Sequence, residues 1–279
     1  MPDRRGPVTA ALLSLALVGC TTSGSTSRDL SSNRDAFFGA SRCAAAHLEL
    51  CEDFESGTLD PATWTVTGVT PTVDDLQAAR GQRALHITVS GKGSSYISET
   101  KTFPAPNNSY YGRMFVYFQS LPTPASGFDY AHWTFAAASG TGVKGEVRLS
   151  GQMQNGVNLF GVGTDSLGDP RGSGDWTNPD RDPGPGGTPS PVPTGRWLCV
   201  EWMHDGAHDQ TRFWWDGVEH PSLATTPATP HLGNAGVPFR LPAFTSLWVG
   251  WQEYQKTTQP FELWIDEVAV DRDRIGCVI

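Results

Sequence analysis

Residues 244–271, FTSLWVGWQEYQKTTQPFELWIDEVAVD, decide the fold. In the first half, Leu247, Val249 and Trp251 alternate with Trp248, Gly250, Gln252 and Tyr254. In the second, Phe261, Leu263 and Ile265 alternate with Glu262, Trp264 and Asp266. A period of two marks half-buried strands, because successive side chains leave opposite faces. The polar run between the two halves reads as a turn. One face of the first strand is purely apolar. The other carries Trp, Gln and Tyr, a mixture suited to a sugar.

The same alternation recurs upstream. Leu50–Glu55, Trp64–Val66, Ala84–Val89, Tyr96–Lys101, Tyr111–Phe118, His132–Phe135, Glu146–Gln152, Trp197–His204 and Thr211–Trp215 all read as strands. Asp205-Gly206 and Asp216-Gly217 are turn signals between apolar runs. Many short strands at this spacing predict an all-β, two-sheet antiparallel β-sandwich of jelly-roll type. Residues 161–196, rich in Gly, Pro and Asp, read as one long loop, a binding wall or a tolerated insertion. Their aspartates lack EF-hand spacing.

The chain has 279 residues with 31 Gly, 21 Pro, 10 Trp and only 18% charged side chains. No long helical period is present. Arg4 and Arg5 precede a short apolar run, Val8–Val18, and then Leu17-Val18-Gly19-Cys20. The run falls short of the ~20 residues that span a bilayer. The Leu-Val-Gly-Cys segment resembles a bacterial lipobox, which makes 1–19 a signal peptide and Cys20 a lipidated N-terminus. Thr21 in place of Asp resembles outer-membrane sorting. Residues 20–42 are then a Ser/Thr-rich tether, and 43–279 a single domain. The expected location is the bacterial cell envelope, at the outer membrane or cell surface, and a monomer is expected.

Net charge is −9. Losing residues 1–19 removes Asp3, Arg4 and Arg5, which makes the mature chain −10. Such a chain has no basic field to displace counterions from phosphate, so nucleic acid is excluded as a partner. Besides Cys20, the cysteines are Cys43, Cys51, Cys199 and Cys277. An even number in an exported chain implies disulfides. Of three possible pairings, Cys43–Cys51 and Cys199–Cys277 are preferred, the first closing a short loop and the second stapling the C-terminus to a central strand.

There is no G-x-S-x-G and no H-E-x-x-H, and Gly140-x-Gly142-x-x-Gly145 precedes a strand instead of a dinucleotide-binding helix. Alternation places Glu146, Arg148, Ser150 and Gln152 on one strand face. Beside them belong Arg113, His132, Gln252 and Tyr254. β-Elimination from a uronic acid needs a group that stabilises charge on the carboxylate, a base and an acid. Arg148 and Gln152 suit the first role, and His132 or Tyr254 the others. Arg113, Glu146, Gln252, Trp133 and Trp248 are candidates for holding the sugar. Arg148 paired with Glu146 or Glu201, and His132 as a core histidine, are the structural alternatives. A glycosidase would need a pair such as Glu146 with Glu201 or Glu253. At the two ends of the domain, Glu55 and Asp266 would repel one another unless a cation or an arginine lay between them. Structural Ca2+, with backbone oxygens from Gly81 to Arg83, is the expected ion.

Cys51-Glu52-Asp53-Phe54-Glu55-Ser56, Gly81-Gln82-Arg83-Ala84-Leu85-His86-Ile87, Tyr111-Gly112-Arg113 and Trp264-Ile265-Asp266-Glu267-Val268 together resemble the concanavalin A-like jelly rolls. Within these the chain is most similar to the Cip1-like core domain, related to glucuronan lyases, over about residues 48–277. The resemblance implies calcium between the first-strand Glu55, the Gly81–Arg83 loop and Asp266. It also implies a groove with Arg148 and Gln152, and with His132 and Tyr254. The family mixes lyases with members of unclear activity. Three functions follow: a lyase on uronic-acid-containing polysaccharide, a non-catalytic glycan-binding lipoprotein, and a glycoside hydrolase.

Overall fold

The computed structural model describes residues 34–127, 130–142, 145–154, 156–165, 175–177, 191–226, 239–258 and 260–279. The leader, Cys20 and the tether up to residue 33 lie outside them. The strands, in chain order, are β1 (Leu50–Glu52), β2 (Thr65–Gly68), β3 (Thr72–Asp74), β4 (Ala84–Ser90), β5 (Gly93–Glu99), β6 (Ser109–Phe118), β7 (Tyr130–Thr141) and β8 (Glu146–Gln154). They continue with β9 (Val157–Asp165), β10 (Asp175–Thr177), β11 (Trp197–Asp205), β12 (Gln210–Trp215), β13 (Val218–Glu219), β14 (Ala243–Glu253) and β15 (Pro260–Asp271).

They form two antiparallel sheets, the sandwich expected from the alternation. One runs β13-β12-β11-β6-β15-β4-β3, with β1 added beside β15, and the other runs β10-β9-β8-β7-β14-β5-β2. First and last strands are neighbours, with Glu52 opposite Val268. The inner faces meet in one core that includes Met114, Val116, Phe118, Trp133, Phe135, Phe160, Trp202 and Trp251.

The opening stretch is not a hairpin. β14 lies in one sheet and β15 in the other. Both apolar faces point inward, so the two strands bury more surface facing each other across the core than side by side. Trp251 stacks on Phe261 at 3.6 Å between centroids and on Trp133 at 4.9 Å.

Residues 34–42 and the C-terminal residues cover part of the outer face of the β6-containing sheet. Phe37, Phe115, Trp197, Cys199, Trp264 and Cys277 form a second apolar cluster there. Residues 34–42, read from composition as tether, pack on this face: Phe37 is fully buried and Arg34 pairs with Asp216. The disulfides are Cys43–Cys51 and Cys199–Cys277, as expected. The long loop is shorter than its composition suggests. Residues 161–165 complete β9, and 175–177 pair with it as β10. Glycines hid the strand, yet Gly161 and Gly163 sit opposite Ser150 and Arg148, where they leave room beside the longer side chains.

Candidate functional site

The outer face of the β14-containing sheet gathers most of the sequence-selected polar residues. Three adjacent strands, β8-β7-β14, supply them. Register places His132 opposite Gln152, Thr134 opposite Ser150, and Gln252 opposite Thr134. Tyr254, one residue beyond β14, folds back over this floor. Its N–H donates to the His132 carbonyl at 3.3 Å, and its hydroxyl lies 3.2 Å from Thr134 Oγ1, itself 3.0 Å from Ser150 Oγ. The Tyr254 and His132 rings stack at 4.6 Å, and the Arg148 guanidinium lies 5.1 Å from the Tyr254 ring centroid. The His132 N–H donates to Gln255 Oε1 at 2.7 Å, which ties β7 to the turn after β14.

Electrostatics divide the pair. Burial, and then the Arg148 charge, push His132 down to about 4. Burial raises Tyr254, opposed by Arg148 and the Thr134 hydrogen bond. At neutral pH the imidazole is therefore neutral and the phenol keeps its proton. Environments that separate two titratable groups in this way mark candidate base and acid. Arg148 is committed: its Nε donates to Glu146, and its Nη2 donates to Asp165 at 2.6 Å. Among the described residues Nη1 has no partner. Among the described residues, one guanidinium thus serves two carboxylates.

Two expected sugar contacts lie elsewhere. Arg113 is on β6 in the other sheet, fully buried, where it binds Glu267 and the Ile279 carbonyl oxygen. Its strand pattern gave its face but not its sheet. Trp133 is fully buried in the core, because it follows His132 and neighbours on a strand point opposite ways. Trp248 does lie on the outer face but is only 5% exposed, stacked on Tyr96 at 4.5 Å. Glu146 and Gln252 are where expected and half-buried. Glu201 pairs with Arg274 on the far sheet, and Glu253 points into the core, so neither opposes Glu146 as a glycosidase pair would require. Thr134, Asp165 and Tyr130 were not singled out from sequence, whereas Ser150 was placed on this strand face by alternation. Thr134 and Tyr130 lie two residues either side of His132, so alternation alone could have found them. Tyr130 is 47% exposed and extends the ring row beyond His132 at 6.0 Å.

The residues expected to hold calcium do not fit a cation. Glu55 Oε1 accepts the N–H groups of Gln82 and Arg83, each at 2.8 Å. Asp266 Oδ2 accepts those of Ala79 and Arg80 at 2.9 Å, and its Oδ1 that of Glu267 at 2.7 Å. Three of the four carboxylate oxygens thus already accept amide hydrogens. Gly81 turns its own N–H to the Gly39 carbonyl. Positive charge at this seam comes from Arg80, fully buried and paired with Glu267. Among the described residues, the one cluster of three possible metal-binding side chains is Cys199, Glu201 and Cys277, whose cysteines are disulfide-bonded. Hollows of about 420 and 330 Å³ that share Pro106 and Arg272 have no residue in common with the Tyr254 face.

A family model described as polysaccharide lyase-like, Cip1-like core domain, matches residues 53–273. No curated protein sequence matches the chain. Among solved structures, "Cellulose induced protein, Cip1" is 20% identical, covers 82% of this chain and 100% of its own, and superposes with a TM-score of 0.58. Alginate lyase AlyC3 is 11% identical over 69% of this chain and 75% of its own, with a TM-score of 0.46. The marine alginate lyase AlyA1 from Zobellia galactanivorans is 9% identical over 76% of this chain and 95% of its own, at 0.44. These structural likenesses concern the fold alone.

Proposed function

The chain belongs to the Cip1-like core-domain family, and from that premise we propose that it acts on polysaccharide by cleaving a uronic-acid-containing glycan through β-elimination. The observation that carries the reading is the stack of Tyr254 on His132 beside Arg148. His132, neutral at working pH, takes the proton α to the uronyl carbonyl. The freed electron pair forms a C=C bond, the bond to the glycosidic oxygen breaks, and Tyr254 gives its proton to that oxygen. Arg148 Nη1 and Gln152 offer hydrogen bonds to the carbonyl as charge builds on it. Tyr130, stacked beyond His132, offers a ring face to the next sugar.

Tyr254→Phe removes the acid while keeping the ring stack. Turnover is expected to fall by about 10²–10⁴, with an unchanged circular dichroism spectrum. In the parent, kcat/KM should rise through about pH 4, where His132 loses its proton, and hold to neutrality and beyond. Full activity of Tyr254→Phe would remove the assignment.

A second reading, glycan binding without turnover, is favoured by one observation: both carboxylates already engage Arg148. It expects retention by a glycan and no new C=C bond. The Leu17–Cys20 segment adds that a lipid holds the protein at the bacterial cell envelope. Palmitate labelling that persists in Cys20→Ala would contradict this.

A further inference from the structure

Among the described residues, the Tyr254 face lacks what a free uronate calls for. A carboxylate losing its α-proton gathers a second negative charge, which a cation must offset. Among the described residues the cation here is Arg148, and two carboxylates already engage it. Glu146 approaches from its own strand, Asp165 from β9 at 2.6 Å, and the Tyr254 ring covers it from just beyond β14. His132 on β7 adds no charge at neutral pH. Gln152 and Gln252 contribute only neutral amides.

We propose that this face takes the reacting uronyl group as a neutral ester in preference to a free carboxylate. The inference rests on the lyase reading and names its substrate form. An ester carbonyl accepts hydrogen bonds from Arg148 Nη1 and needs no counter-charge. Its α-proton is also more acidic than that of a carboxylate, which suits a base held as weak as His132. The elimination balances as before: C–H and C–O bonds break, C=C and O–H bonds form, and the ester group stays intact.

The test uses the full chain and matched polymers: methyl-esterified against de-esterified homogalacturonan, and propylene-glycol alginate against alginate. New C=C absorbance is read at one pH and one ionic strength. The expected result is at least tenfold higher kcat/KM on the ester of a pair. Asp165→Asn, an isosteric change at a half-exposed side chain, should raise the acid-to-ester ratio severalfold. Equal or faster cleavage of the free acid overturns the inference while leaving the lyase reading intact. So does a ratio that neither Asp165→Asn nor Glu146→Gln moves. If no polymer is cleaved, the lyase reading falls, and electrophoretic retention in gels containing each polymer decides. Retention by the ester keeps the charge argument for binding, and equal or stronger retention by the free acid overturns it.

Discussion

His132 and Tyr254 lie ring to ring, yet their surroundings move them in opposite directions, one toward acid and the other toward base. Burial does both, because it disfavours whichever form is charged. Glu253, between Gln252 and Tyr254 in sequence, obeys the same rule. It is 2% exposed, neither oxygen has a hydrogen-bond partner of normal geometry, and burial raises it to about 8, opposed by the nearby Gln255 N–H. Its folded value lies above its unfolded one. The stability that goes with the neutral form is therefore complete at low pH and is lost as pH rises through about 8. Glu253→Gln cannot titrate, so it should gain on the parent by about 2 kcal/mol between pH 5 and pH 7 in urea unfolding. A difference that stays constant with pH would mean that Glu253 is charged in the fold. The identities and strand faces of His132, Arg148, Gln152 and Tyr254 were legible from alternation. The Asp165 partner of Arg148 was not, because its glycine-rich strand has few side chains to show a pattern.

At the scale of the element, β14 does two jobs through one irregularity. Leu247, Val249 and Trp251 fill the core, and Trp248 and Gln252 face outward. Pairing with β7 shifts register between Val249 and Gln252, and Gly250 sits there at φ +146°. A methyl at Gly250 would lie 2.4 Å from the Tyr96 Cα and 2.5 Å from the Ser95 carbonyl oxygen, both backbone. The neighbouring strand cannot yield that space cheaply. Gly250→Ala should cost roughly 2–4 kcal/mol in denaturant unfolding and displace the Trp248–Tyr96 stack. A loss under 0.5 kcal/mol would show that the bulge is soft. Period two announced the strand and both of its faces. It could not announce that the next strand, equally apolar on one side, crosses to the other sheet, because facing and adjacent strands carry the same pattern. The same ambiguity misplaced Arg113.

Across the whole molecule, residues 34–42 and the C-terminal residues are locked together on the sheet opposite the Tyr254 face. Glu267 accepts from Arg80 and Arg113, and from the Arg42 N–H at 2.6 Å, while Cys277 is bonded to Cys199. This closure relies on arginines and amide hydrogens at the position where a calcium ion was expected. A melting midpoint unchanged by chelator follows, and a drop on chelation would restore the ion. Nothing in the sequence distinguished Arg80 from a surface arginine, because the contacts that bury it come from residues 37, 267, 277 and 279. Residues 34–42 and the C-terminal residues pack on one sheet, and the Tyr254 cluster lies on the outer face of the other. Elimination across a uronyl group on the Tyr254 face is the proposed activity. Its most direct measurement is ultraviolet absorbance during incubation with a panel of uronate polymers, free and esterified. A steady rise on at least one polymer is expected, abolished in Tyr254→Phe. A flat trace on every polymer, from protein that is folded and still retained by one of them, would contradict it.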